Sequence, residues 1–262
     1  PAGVTLTVEA GVEILVESPS GGFEVYGTLV AAGTPASRIT ITGSACSHKS
    51  GEWAGIYLEG GLCAATLRNA DILWGKDGIT AEAGAVAVLD SCNIFNHSHY
   101  GVSVLDGASV TIEGSKLWEN GVGLDVRNSE VTVSNSSIRY NGTGVELDVS
   151  LDESPMQAEI TNSVIANSGA NGILIEEKAK PEIHDCSIFS NGESTPGAYA
   201  MRLLSYSAVD TIHAEGNFWG VGNTTDAAIR ALIYDHEDDE SIMAYVGFTP
   251  WLTAAPQTTK GR

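Results

Sequence analysis

The chain has 262 residues, 43% of them apolar, and a formal net charge of −20 with only 13 lysines and arginines. Phosphate-backbone binding depends on clustered basic side chains, so this balance argues against a nucleic-acid partner, and no apolar run reaches the roughly 18 residues a membrane-spanning helix needs. The acidity reads first as a solvated, self-repelling surface and second as a capacity to bind cations.

The opening, Val4-Thr-Leu-Thr-Val-Glu-Ala-Gly11-Val-Glu-Ile-Leu-Val, alternates as strands do and breaks at Pro19 to Gly22. Short strands follow at Phe23 to Thr34 and Arg38 to Gly43, separated by glycine corners, before a loop from Ser44 to Glu52. From there one unit repeats. Ser109-Val-Thr-Ile-Glu-Gly-Ser-Lys-Leu117 is echoed by Glu130-Val-Thr-Val-Ser-Asn-Ser-Ser-Ile138. The marker positions Ile72, Ile94, Leu117, Ile138, Ile165, Ile188 and Phe218 recur at intervals of 22, 23, 21, 27, 23 and 30 residues.

A small residue stands two places before each marker: Ala70, Cys92, Ser115, Ser136, Ser163, Cys186 and Gly216. Such a position is narrow and faces inward. Asn120-Gly121, Asn141-Gly142 and Asn191-Gly192 follow the markers, and their side chains tolerate the left-handed backbone of a sharp corner. Each period holds two clear strand runs, with room for a third, and no helical spacing. A unit of this length without a helix buries its apolar side only by stacking on its neighbours. The expected fold is therefore all-β: a single-stranded right-handed parallel β-helix, or solenoid, of about eight or nine coils with a short C-terminal helical cap. A leucine-rich repeat would need a dense Leu-x-x-Leu-x-Leu pattern, which is missing. The expected organisation is one domain over residues 1–252, with N-terminal coils in 1–64, repeat coils in 65–220 and a cap in 221–252. Residues 253–262 read as linker or tail. In the cap, Asp226 is positioned to N-cap a short helix with Ile229, Leu232 and Ile233 on one face.

The segments VTLTVEAGVEILV, VYGTLVAAGT, RITITGS and WAGIYLEG resemble the N-terminal half of bacterial right-handed β-helix repeat proteins of the cell surface. Gly216-Asn-Phe-Trp-Gly220, Ile233-Tyr-Asp235 and Val246 to Leu252 are similar to the closing segment of the same proteins, which share the pectate-lyase-like superfold. The resemblance covers nearly the whole chain to Leu252 and implies a secreted or surface-displayed module, monomeric or part of a larger surface protein. It does not imply one activity, because the family is functionally mixed. The chain also begins at Pro1 without a methionine; a removed leader or a trimmed chain would account for that, and a removed leader implies export.

Glycine-led strand starts align Thr80, Ser103, Asp125, Glu146, Leu174 and Arg202 in one outward column, and Leu105, Arg127, Asp148, Glu176 and Leu204 in the next. If the face is catalytic, Asp125, Glu146, Arg127 and Arg202 are the candidates for lyase or glycosidase chemistry, with Asp148, Glu176 and Ser103 contacting substrate. Asp125 and Glu146 on adjacent coils would start about 5 Å apart, within the range of a retaining carboxylate pair. Any two adjacent outward residues of a β-helix give this spacing, however, and ordinary cross-strand pairing explains it equally. The series Asn-x-Asp, Asp-Asp, His-Gly and Arg-x-Lys of polygalacturonases is absent, as is the Arg-x-Pro-x-x-Arg of pectate lyases. The sequence therefore favours a structural or polysaccharide-binding module over an enzyme, although no aromatic platform is legible in the two columns.

Asp235-His-Glu-Asp-Asp-Glu240 is oxygen-rich, and Asp235, Asp238 and Asp239 make a candidate calcium loop, the one cofactor the sequence suggests. His97-Ser-His99 places two imidazoles at strand spacing but without the third ligand that zinc needs, so a solvent-facing corner is expected. Cys92 and Cys186 share the small inward slot four coils apart, about 19 Å, too far to pair. Cys46 and Cys63 lie in loops of neighbouring coils, where a disulfide is geometrically open. Asn96, Asn135, Asn141 and Asn223 head Asn-x-Ser/Thr sequons, and coincidence with repeat positions favours a structural role for the asparagines.

Overall fold

The computed structural model describes residues 2–44, 48–149 and 156–256. The apolar alternation becomes a stack of parallel coils, each contributing one strand to each of three sheets. Sheet A orders the strands Thr5–Val8, Thr28–Ala32, Ala64–Arg68, Val86–Asp90, Ser109–Glu113, Glu130–Ser134, Gln157–Thr161 and Glu182–His184. Sheet B runs from Glu13–Val16 through Lys116–Trp118 to Ser187–Phe189, and its short strands carry the repeat markers. This is the third strand for which the repeat left room. Sheet C runs from Phe23–Val25 through Ile56–Glu59, Ile79–Glu82, Tyr100–Leu105, Val122–Arg127, Thr143–Asp148, Ile173–Glu176 and Met201–Leu204 to Ile233–Tyr234. The chain is a parallel β-helix repeat protein.

In-register pairing stacks like on like. Ile72, Ile94, Leu117, Ile138, Ile165 and Ile188 are successive partners in sheet B and all are fully buried. The last coil departs from the expected register by one residue. Ser187 bridges Phe218, so Asn217 takes the small slot and Trp219 the marker position, both buried, while Phe218 is only half-buried. Asn217 then donates to Ile183 O at 2.7 Å and accepts from Cys186 N–H at 2.9 Å.

Two polar ladders line the inner corners. Ser115, Ser136 and Ser163 each accept the amide of the preceding coil, from Cys92, Ser115 and Ser136 respectively, at 3.0–3.1 Å. Asn120 Oδ1 accepts from His97 N–H, Asn141 Oδ1 from Asn120 N–H and Asn191 Oδ1 from Ser168 N–H. The asparagines are therefore not the left-handed corner residues expected from the Asn-Gly pairs. Positive φ falls one place earlier, at Asn96, Glu119, Tyr140, Asn167 and Ser190. Asn141 is buried and bonded within the ladder, which is incompatible with use of its sequon in the folded chain. Gly142 is needed for close approach: a Cβ there would lie 2.4 Å from Gly121 O.

The C-terminal end is closed by helix α1 (Asp226–Arg230), whose N-cap is Thr225 rather than Asp226. The Thr225 side chain accepts from Ala228 N–H, and Asp226 sits in the first turn, where its charge suits the helix dipole. Ile229 and Ile233 enter the core; Leu232, Phe248 and Trp251 pack against it. Cys46 lies outside the described residues, and the disulfide with Cys63 with it, as do residues 257–262 of the expected tail.

Candidate functional site

The two columns aligned from sequence are adjacent partners in sheet C. Cross-strand register joins Thr80 to Ser103, Ser103 to Asp125, Asp125 to Glu146, Glu146 to Leu174 and Leu174 to Arg202. The second column joins Leu105 to Arg127 and Arg127 to Asp148, and Glu176 to Leu204. The same register extends the first column to Tyr57 beside Thr80 and to Tyr234 beside Arg202. Tyr100 opens its strand and Tyr199 stands two residues before Met201–Leu204, and the Tyr199 and Tyr234 rings lie 5.0 Å apart. Tyr57 and Tyr234 were missed because they extend the column into coils beyond the aligned glycine-led starts, and Tyr100 and Tyr199 because they sit at strand entries. Phe95 and Trp118 form a second aromatic pair on sheet B, stacked at 4.5 Å.

The middle of the sheet C face is less open than alternation implies. Ser103 and Asp125 point away from the core, yet each is only 1% exposed. Ser103 Oγ donates to Asp125 Oδ2 at 2.8 Å, and Arg127 Nε donates to Asp125 Oδ1 at 3.0 Å. Arg127 Nη2 continues to the Tyr100 hydroxyl at 3.2 Å. A small residue beside a carboxylate, with an arginine two places on, folds into a closed network that buries its own centre. Burial pushes the Asp125 carboxyl above its ordinary range, with Arg127 and Ser103 pulling it back. Burial and then the Asp125 charge raise Glu146; burial and then Asp148 raise Glu176. Burial is the largest influence on the Arg127 guanidinium and works to lower it, but the charge and hydrogen bond of Asp125, with Tyr100 and Asp148, together turn the net direction upward. Tyr57 is pushed up to about 12 by burial and the neighbouring Asp77, whose Oδ2 accepts its hydroxyl at 3.1 Å. Arg202 lies over the Tyr234 ring at 5.2 Å and donates to Gly197 O, some distance along the stack from Asp125.

The histidine pair separates. His97 is not at a solvent-facing corner: it is 1% exposed and occupies the asparagine-ladder position of its coil. Its Nδ1 accepts from Gly75 N–H at 3.1 Å and its Nε2–H donates to Ile72 O at 3.1 Å, so neither nitrogen is open to a metal. Burial lowers it to about 4. His99 is half-exposed and bonds Asp77 at 3.2 Å on the sheet C side.

In the acidic loop, Asp235 is fully buried. Its Oδ1 accepts from Glu237 N–H, and its Oδ2 accepts from Val246 N–H at 2.7 Å and pairs with Arg230 at 2.9 Å. Asp238 accepts from Asp235 N–H, and Asp239 accepts from Ser241 N–H and O–H, which holds the Asp239 carboxyl below its usual range. These carboxylates bind their own turn and the next strand, where the oxygen-rich sequence suggested calcium. Among the described residues no three of His, Cys, Asp and Glu converge to enclose an ion.

A family model described as periplasmic copper-binding protein (NosD) matches residues 37–214, more than half of the chain. The chain belongs to the NosD family. No curated protein matches this NosD-family chain in sequence. Among solved structures, pectate lyase Pel9A matches with a TM-score of 0.50 and 14% identity, over 97% of this chain and 69% of the lyase; at that identity the likeness concerns fold alone. Apart from His99 beside Asp77, the donors of the sheet C face are oxygens and guanidinium nitrogens rather than the imidazoles and thiolates that suit copper. Cys92 and Cys186 are buried, bonded to backbone carbonyls, and raised by burial to about 11 and about 12. That set does not fit a closed copper centre, and the function proposed next does not run through one.

Proposed function

We propose that the chain is an exported β-helix module that binds polysaccharide along the sheet C face without cleaving it. The carrying observation is the Ser103–Asp125–Arg127–Tyr100 network. Both Asp125 oxygens have partners and the group is buried, so it is unavailable as a nucleophile or acid. Arg127, held protonated by Asp125, is the opposite of the arginine base a lyase requires. Around this rigid centre, Glu146, Asp148 and Glu176 offer acceptors for sugar hydroxyls, and Tyr57, Tyr100, Tyr199 and Tyr234 offer amphipathic rings. The family's periplasmic description is consistent with export.

A catalytic reading is favoured by one observation: Glu146 and Glu176 are both raised, the property that suits a general acid near neutral pH. Incubation with neutral and uronate polysaccharides, with and without calcium, separates the two. Isothermal titration reports binding; unsaturated products and reducing ends report turnover. Binding without products, weakened by Tyr199→Ala, is the expected result. Cleavage that is lost in Asp125→Ala or Arg202→Ala would overturn it, and absence of both binding and cleavage would leave a scaffold.

A further inference from the structure

Sheet B carries a constellation that the polysaccharide reading does not use. Its strands Asn93–Phe95, Lys116–Trp118, Ser137–Arg139, Val164–Ala166 and Ser187–Phe189 are successive partners, and each turns its middle residue into the core. The residues after those markers form an outward column of Phe95, Trp118, Arg139, Ala166 and Phe189, which spans roughly 19 Å in four steps of about 4.8 Å. Phe95 and Trp118 stack at 4.5 Å with their planes 12° apart. Arg139 lies over the Phe189 ring at 5.8 Å, closing across the small, buried Ala166 between them.

The charge of this face runs against that of the chain. The five strands hold no aspartate or glutamate, although the chain has 33 acidic residues and a net charge of −20. Asp71, on the strand before Asn93–Phe95, is taken up by Arg38 and Asn93, and Glu119 and Asp185 stand at corners outside the strands. Lys116 and Arg139 are therefore uncompensated. Among the described residues neither makes a hydrogen bond or an ion pair, and Arg139 Nε is buried without a partner. Arg38, Arg68, Arg127, Lys180 and Arg230, by contrast, all pair with carboxylates.

Aromatic residues and arginine, with aspartate and glutamate depleted, compose the centre of a protein–protein interface. A sugar ring packs on the face of an aromatic ring, but Phe95 and Trp118 cover each other's faces and turn edges outward. Ring edges are the positive side of the aromatic quadrupole, which adds to Lys116 and Arg139 in favouring an anionic partner. A two-fold pairing of copies centred on this column would set Arg139 against Arg139, which disfavours self-association. We propose that sheet B from Phe95 to Phe189 docks an acidic segment of another protein. The segment lies along the stack, with carboxylates on Lys116 and Arg139 and apolar side chains against Trp118 and Phe189. This face is separate from sheet C, and its role holds whether or not sheet C binds polysaccharide.

The test is fluorescence anisotropy of a labelled peptide of alternating glutamate and leucine, titrated with the full chain at low and high salt, with the lysine–leucine peptide in parallel. Saturable binding of the acidic peptide, weakened by salt, is expected. The double variant Lys116→Gln/Arg139→Gln should weaken it roughly tenfold or more, and Trp118→Ala should weaken it as well. Lys178→Gln, which removes an equal charge from an exposed position off this sheet, should leave it unchanged. Matched thermal melts keep loss of binding distinct from loss of fold, and the double variant alters no core residue. Absence of saturable binding, equal binding of the lysine–leucine peptide, or an unaffected double variant would overturn the proposal. Displacement of the peptide by an equal concentration of uronate oligosaccharide would assign the face to glycan instead, and a dimer in light scattering that Arg139→Gln dissolves would assign it to a second copy; either result also overturns the proposal.

Discussion

Asn120 and Asp125 belong to the same coil and are both buried polar residues, yet they serve opposite sides of the wall. Asn120 points into the corner ladder, where its Oδ1 takes the His97 amide and its Nδ2 donates to Ile94 O at 3.2 Å. Asp125 points away from the core and is covered by the residues it binds. The inner ladder satisfies backbone groups that would otherwise be stranded at the corners, where strand pairing stops. The outward network satisfies only side chains. Loss of an inner member thus leaves buried amides without partners, whereas loss of an outer member leaves groups that water can reach after a small movement.

The largest effect is expected where no polar partner exists. Ile138→Asp places a charge in the fully buried marker stack and should cost several kcal/mol, roughly 3–5. A thermal melt unchanged from the parent would contradict the assigned register. Next comes His97, the imidazole standing in for asparagine. Its folded value of about 4 lies below the ordinary 6.5, so the unfolded chain binds the proton first as pH falls. The stability this histidine supplies is complete above about 6.5 and is lost between there and about 4, by about 3 kcal/mol. His97→Asn should flatten that slope relative to the parent in urea unfolding at a series of pH values.

Asn120→Ala strands the His97 amide and the Ile94 carbonyl and should cost about 1–3 kcal/mol by chemical denaturation. On the outward face the sign reverses. Glu146 has a raised folded value, so its ionisation at neutral pH works against folding, increasingly as pH rises through that value. Glu146→Gln should therefore leave the melting temperature at pH 7 equal or slightly higher, and a clear drop would show that the face is structural like the ladder.

Much of this wall was readable from residue order. The 22- to 23-residue interval, the small slot and the glycine-led strand starts placed Thr80, Ser103, Asp125, Glu146, Leu174 and Arg202 in one column, and the cross-strand register agrees. Where the reading slipped, it slipped by one residue: Phe218 for Trp219, Asp226 for Thr225, and Asn for the residue before it at the left-handed corner. Strand alternation tolerates no such ambiguity inside a run, but corners interrupt the period, and a one-residue change of phase there is invisible to pattern.

The sequence by itself determined the repeat, and through it the fold and the identity of the residues that line each face, because stacked coils with a shared core force equivalent positions into register. Only the tertiary structure decided the fate of the polar groups. That Asp125 is buried while Glu146 beside it is half-buried, and that His97 fills a ladder while His99 meets Asp77, depend on side-chain contacts between coils. Alternation states which way a side chain points from the wall; what covers it comes from residues one or more coils away, at distances in sequence where no local pattern operates.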